Sequence, residues 1–230
     1  MKLMSFNTQH CLNYREQKLD LPLMAATIRS LGADVVGLNE MRQAGPYGPQ
    51  TEELSALTGL GYHYFAPAIE DGEGPYGNGL LSRYPILSAE TVPVPDPSPR
   101  RHSRGYYESR CLLKARLDGG YTVLVIHFGL MDDEQESAVA TILANLEPEK
   151  CILMGDFNVT PDNPILAPIR ERMRDTAECF TAPCLSFPSD KPEMKIDYIF
   201  VTPDLIVESA DIPALVASDH RPHVATVHDA

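Results

Sequence analysis

The chain has 230 residues, 43 % of them hydrophobic and 22 % charged, with a formal net charge of −13. No apolar run reaches the ~20 residues of a membrane-crossing helix, which argues against membrane insertion, and the negative surface disfavours an unselective grip on polyanions. The five scattered cysteines include no CxxC pair and nothing after Met1 resembles an export signal, so unpaired thiols and a cytoplasmic location are expected.

In chain order, a short strand over 2–6 is followed by helical periodicity over 19–31, where Leu23, Ala26, Thr27 and Leu31 share a face and Gly32 can end the helix. Strand-like runs come next at 34–38, 79–82 and 86–92. The Pro- and Arg-rich segment 93–105 lies between strands and reads as an insertion rather than a boundary. Runs at 111–117 and 121–126 flank Asp118-Gly119-Gly120, a hairpin turn signal. A helix is expected over 133–146, with Asp133 and Glu136 in capping-box spacing. Strands at 151–154, 196–201, 205–208 and 223–227 complete the chain. Many short strands with a few helices predict mixed α/β architecture with two sheets in one domain spanning 1–230.

Polar residues recur at one end of these strands. KLMSF runs into Asn7, DVVGL into Asn39-Glu40, TVLVI into His127 and CILMG into Asp156, whereas Asp197 precedes YIFV and Asp219-His220 precede the last strand. If the later strands run antiparallel to the earlier ones, all of these side chains meet on one rim. A single polar strand end is ordinary, since a strand must emerge into water; six that converge are not. Glu40, Asp156, Asp197 and Asp219 would repel one another there without a cation or histidines to balance them. Oxygen donors without cysteine or an HxxxH pair favour a hard cation, Mg²⁺ or Mn²⁺. The histidines add what phosphoryl chemistry needs, donors to non-bridging oxygens and a proton for a leaving group. Gly72–Gly77 satisfies GxGxxG, but no helix follows, so it is not a dinucleotide site.

The segments FNTQH (6–10), GLNE (37–40), GNGLLSRYPI (77–86), IHFGL (126–130), GDFNVTP (155–161), IDYIFV (196–201) and SDHRPH (218–223) resemble the endonuclease/exonuclease/phosphatase superfamily, in its order and across nearly the whole chain. The resemblance implies a four-layer α/β/β/α sandwich, two packed β-sheets flanked by helices as in deoxyribonuclease I, with the site at one end of the sheets. It implies that Glu40 ligates the metal with Asn7 beside it, and that Asp219 completes the acidic cluster. Asp156 would orient or deprotonate water, Asn158 support the phosphate, His127 contact the phosphoryl group or leaving group, and Asp197 orient His220. Asn78 would line the same rim, and Glu108 is the candidate for the carboxylate that family members place behind the first histidine.

The expected activity is hydrolysis of a small or medium phosphomonoester or phosphodiester by a monomer. Arg100, Arg101, Arg104 and Arg110 form a local basic patch, and Arg104 and Arg110 are expected to hold substrate phosphate. A nuclease is the alternative within enzymes, disfavoured by the charge and by the absence of Trp for base stacking. A catalytically dead binding module of the same fold is the alternative of another class, and the filled set of site positions disfavours it.

Overall fold

A computed structural model describes residues 1–182 and 184–230. The strands are β1 (Lys2–Asn7), β2 (Leu12–Asn13), β3 (Lys18–Leu19), β4 (Val35–Arg42), β5 (Tyr62–Asp71), β6 (Gly74–Ser82), β7 (Ile86–Pro93), β8 (Cys111–Leu117), β9 (Thr122–His127), β10 (Cys151–Asp156), β11 (Arg174–Asp175), β12 (Asp197–Val201), β13 (Leu205–Asp211) and β14 (His223–Asp229). The α-helices are α1 (Leu21–Leu31), α2 (Gln50–Thr58), α3 (Asp132–Asn145) and the short α4 (Ala167–Arg170).

Two six-stranded sheets form, ordered β13-β14-β1-β4-β6-β5 and β11-β12-β10-β9-β8-β7. Each is antiparallel except for one central parallel pair, β1 with β4 and β9 with β10. A parallel pair needs a crossover, and here α1 and α3 supply it, each on the outer face of its own sheet. Leu3, Leu113, Val125, Ile152 and Val227 pack between the sheets. Met4, Phe6 and Val36 pack with Met24 and Ile28 of α1 and Leu54 of α2, and Leu124, Ile126 and Leu153 pack with Ala138 and Ile142 of α3. The result is the four-layer α/β/β/α sandwich. Because the central strands are covered on both faces, they read as unbroken apolar runs. Among the described residues no helix is long and apolar enough to cross a membrane, and all five thiols are free.

The expected helix over 19–31 begins at Leu21, where the Asp20 carboxylate accepts from the Leu23 amide at 3.0 Å, and Gly32 ends it with φ of +62°. In the second helix the expected cap is displaced. Met131 is the N-cap, its amide donating to Glu134 Oε2 at 3.1 Å. Asp133 instead receives the Arg101 amide and the Tyr107 hydroxyl, and Glu136 pairs with Arg101. Strand β5 has no counterpart among the expected strands, and Pro67 interrupts it. It is an edge strand whose register shifts between Pro67 and Ile69, a place where the missing N–H is tolerated. The GxGxxG stretch is the β5–β6 turn and the first half of β6.

The strand ends meet as the sequence suggests. Asn7 lies beside Asn39, and Asp156 lies between His127 and Asp197. Gly155 sets this register, because its φ is +149° and a Cβ there would stand 1.8 Å from the Ile126 carbonyl oxygen. Gly155→Ala should therefore destabilise the protein by on the order of 2–4 kcal/mol. Gly61→Ala, at a site open to solvent, should change stability by less than about 0.5 kcal/mol. Urea unfolding of both checks this, and equal effects would contradict the steric argument.

Candidate active site

The rim opens into a cavity of about 950 Å³ lined by Glu40, Glu108, Arg110, His127, Asp156, Asn158, Asp219 and His220, together with His10, Arg42, Asp71, Tyr76, Leu130, Phe187 and Met194. Asp156 is at the centre. Its Oδ1 accepts from the Asn158 amide at 2.9 Å and its Oδ2 from Asn7 Nδ2 at 3.1 Å. The same Oδ2 lies 3.5 Å from His127 Nε2 and 3.6 Å from His220 Nε2. Burial pushes the Asp156 carboxyl well above the usual range and the charge of Asp197 adds to this, while His220 opposes it.

Asn7 Nδ2 also donates to Glu40 Oε1 at 3.0 Å. Glu40 occupies a β-bulge, where Asn39 and Glu40 together face the single residue Asn78 and Glu40 has a φ of +60°. Among the described residues seven non-glycine positions have positive φ, and five of them, Gln9, His10, Cys11, Glu40 and Asn158, adjoin this rim. Left-handed backbone costs an L-residue about 1–2 kcal/mol, so the strain sits where side chains must be aimed.

His127 and His220, the histidines beside Asp156, have opposite electrostatics. His220 Nδ1 donates to Asp197 Oδ2 at 2.8 Å. Burial alone would disfavour the imidazolium, but Asp197 and then Asp156 outweigh it and raise the His220 pKa to about 10. His223, neutral because burial pushes its pKa down to about 3, backs this pair through the Asp197 carbonyl. On His127, burial and then Arg110 push the pKa well below 6.5. Arg110 Nη1 lies 3.1 Å from His127 Nδ1. A guanidinium only donates, so Nδ1 carries the lone pair and Nε2–H points at Asp156 and the cavity.

This corrects the expectation for Glu108. It does not stand behind His127 but pairs with Arg110 Nη2 at 2.7 Å, and Arg110 is the group on the imidazole. Arg104 is exposed and outside the cavity wall, Arg101 is paired with Asp132 and Glu136, and Arg100 lies over the Tyr107 ring. Of the basic patch, only Arg110 reaches the cavity. Asn78 is buried one step behind the rim, accepting from Asn39 and donating to the Cys111 carbonyl. Asn39, His10 and Arg42 have no role in the sequence reading. Asn39 was visible as the partner of Glu40 at its strand end. Nothing in the sequence signals the left-handed turn that turns His10 inward, or the Asp71 and Glu73 pairing that holds Arg42 at the wall.

Residues 4–220 match the sequence profile of the Endonuclease/Exonuclease/phosphatase family. The chain belongs to that family, whose members are generally hydrolases of phosphoesters and generally depend on a divalent metal. The Escherichia coli K12 protein YbhP is 25 % identical over 256 aligned positions, covering 99 % of this chain and 96 % of YbhP. Among solved structures, the endonuclease/exonuclease/phosphatase from Beutenbergia cavernae DSM 12333 superposes with a TM-score of 0.81 at 23 % identity, over 100 % of this chain and 71 % of that one. A mannosyl-6-phosphatase of Bacteroides thetaiotaomicron VPI-5482 does so with a TM-score of 0.77 at 16 % identity, over 99 % of each chain.

Two measurements test the electrostatics. Nitrogen NMR shifts should show His127 neutral and protonated on Nε2 at about pH 6.5, where an unperturbed imidazole is half charged, and Arg110→Met should raise its pKa by removing the cation; a half-charged imidazole in the wild type at that pH contradicts the assignment. Asp197→Asn should lower the His220 pKa. A raised folded-state pKa contributes stability that is complete below the unfolded value of about 6.5 and is lost as pH rises through the folded value, here about 10. The stability gap between wild type and Asp197→Asn, measured in chelator, should therefore shrink across that window, and a constant gap would refute the pairing.

Proposed function

We propose that the protein is a metal-dependent phosphoesterase that hydrolyses a small or medium phosphoester by in-line attack of water at phosphorus. The observation that carries this reading is the Asp156 carboxylate, buried with a raised pKa and surrounded by Asn7, Asn158, His127 and His220.

The donor set fits a hard divalent cation. Glu40 and Asp219 offer carboxylate oxygens, with the amide of Asn7 beside Glu40. Burial and then the Glu40 charge, against His220, raise the Asp219 pKa, and that crowding is the excess negative charge a cation would neutralise. Mg²⁺ or Mn²⁺ bound there would offset phosphate charge and polarise the phosphoryl group. The chain's own residues do the rest. Asp156, made more basic by burial, orients the attacking water and takes its proton. His127 donates Nε2–H to a non-bridging oxygen as a neutral group and Asn158 Nδ2 lies beside it, 3.3 Å from that nitrogen. His220, held charged by Asp197, donates from Nε2 toward charge developing on phosphorus or the leaving group.

The cavity supports a compact substrate. Its two arginines, Arg42 and Arg110, are already paired with carboxylates, so among the described residues lining the cavity no unpaired arginine is left to start a basic track for a polymer. Asp71, Glu108, Asp132, Gln135 and Asn163 on the walls are suited to hydroxyl groups, as on a sugar phosphate. The mannosyl-6-phosphatase shares the fold, which makes such esters a reasonable first panel.

Assay of that panel should give hydrolysis with Mg²⁺ or Mn²⁺, none in chelator, and a loss of at least ~10²–10³ in rate for Asp156→Ala. Full activity in chelator would sink the metal assignment. Plasmid cleavage with inertness toward every small ester would promote the nuclease, and metal binding without any hydrolysis the binding module.

A further inference from the structure

His10 lies in the turn that follows β1, where Gln9, His10 and Cys11 have φ of 48°, 56° and 60°. Three successive non-glycine residues in the left-handed region hold only if the surroundings fix them. Asn7 Oδ1 receives the Gln9 amide at 3.1 Å, Gln50 Nε2 donates to the His10 carbonyl at 2.6 Å, and the Asp20 amide donates to the Cys11 carbonyl at 2.9 Å. The turn swings the imidazole back over β4. There His10 Nδ1 lies 3.0 Å from the Glu40 carbonyl oxygen. A carbonyl only accepts, so Nδ1 carries a proton, and in the neutral ring the lone pair is on Nε2. The rings of Tyr47 and Tyr76, at 5.8 Å and 5.4 Å, flank the imidazole. Nε2 faces Glu40 Oε2 at 3.7 Å on the cavity wall.

A lone pair on Nε2 facing the Glu40 carboxylate calls for a positive charge between them, and either a proton on Nε2 or a bound cation supplies it. Ligand atoms each about 2.1 Å from one metal ion lie roughly 3.0–3.5 Å apart, a small closure from the observed span. Fixing a histidine's tautomer by donation from its other ring nitrogen to a backbone carbonyl is the usual support of a metal-ligating imidazole. We infer that His10 is a ligand, through Nε2, of the divalent cation that Glu40 holds. The inference rests on the metal-dependent reading above and sharpens it. An imidazole among oxygen donors shifts preference from Mg²⁺ toward Mn²⁺.

The competing role is a protonated His10 as counter-charge to Glu40, and the two roles predict opposite signs. Removing a ligand weakens metal binding, whereas removing a competing positive charge strengthens it or leaves it unchanged. Pulsed EPR of the full chain with Mn²⁺ should show nitrogen hyperfine coupling from a directly bound imidazole, lost in His10→Ala. Calorimetry should show His10→Ala binding Mn²⁺ at least about ten-fold more weakly, with a smaller loss for Mg²⁺. His10→Gln, which restores an oxygen donor, should recover part of the Mg²⁺ affinity without the nitrogen coupling. Wild-type spectra without nitrogen coupling overturn the inference independently of any variant's folding. Unchanged or tighter Mn²⁺ binding in His10→Ala overturns it while leaving the metal-dependent reading standing; a wild-type chain that binds no Mn²⁺ overturns both.

Discussion

Asn39 uses its side-chain amide to join the two sheets where they open to solvent. Its Oδ1 accepts the Asp156 amide at 3.0 Å, and its Nδ2 donates to the Ile126 carbonyl and to Asn78 Oδ1, each at 2.8 Å. Asn78 in turn donates to the Cys111 carbonyl at 2.9 Å. Between β-sheets, apolar packing fixes spacing but tolerates sliding; directed bonds to named backbone atoms do not. These bonds set the relative height of β4 and β10, and with it the distance between the Glu40 and Asp156 carboxylates. Both asparagines are buried, so breaking one bond strands polar groups away from water. The site is thus built from two half-sites, one per sheet, that have a defined geometry only while this bridge holds.

That geometry explains why two similar histidines end in opposite charge states. Both are buried, and burial alone would make both neutral. His220 meets a carboxylate on its Nδ1 and His127 meets a guanidinium. The outcome is a cationic donor and a neutral donor on two sides of Asp156, with the basic carboxylate between them. Charging His127 would place a cation against Arg110, and leaving His220 neutral would leave Asp156, Asp197 and Asp219 without the imidazolium that balances them. Asp197 and Arg110 decide between these states through the ring nitrogens turned away from the cavity.

The two-sheet architecture and most of the rim are legible in the sequence because strand polarity is a one-dimensional property, while the four-layer arrangement is legible only through the family resemblance. An apolar run that ends in Asn7, His127 or Asp156 shows which end of the strand meets water, and the parallel pairs then bring those ends together. Helix α1 is legible from its periodicity and Gly32. What is not legible depends on contacts between distant segments. Glu108 and Arg110 are two residues apart, and only the packing of β6 and β9 against the loop decides which of them faces His127. Arg104 belongs to the same run but stays in solvent, because clustered charge in sequence does not specify direction. Strand β5 is concealed by Pro67, whose tolerance depends on the strand being at an edge.

Backbone strain marks the remaining hidden part. Glu40, Asn158 and the turn at Gln9–Cys11 all adopt conformations that their residue types resist, and none of these positions is a glycine that would relieve it. Glycine there would remove the strain together with the side chain the conformation exists to present. The restraints that hold the turn come from elsewhere in the chain. Gln50, the first residue of α2, accepts the Arg42 amide through Oε1 and donates to the His10 carbonyl through Nε2. One side chain therefore ties the strained turn to the strand that carries Glu40. The bulge at Glu40 and the left-handed turn at His10 are two sides of one contact, since His10 reaches the Glu40 carbonyl only because the bulge turns that carbonyl out of the β4–β6 ladder. Relaxing either would disturb the carboxylate that both of them aim.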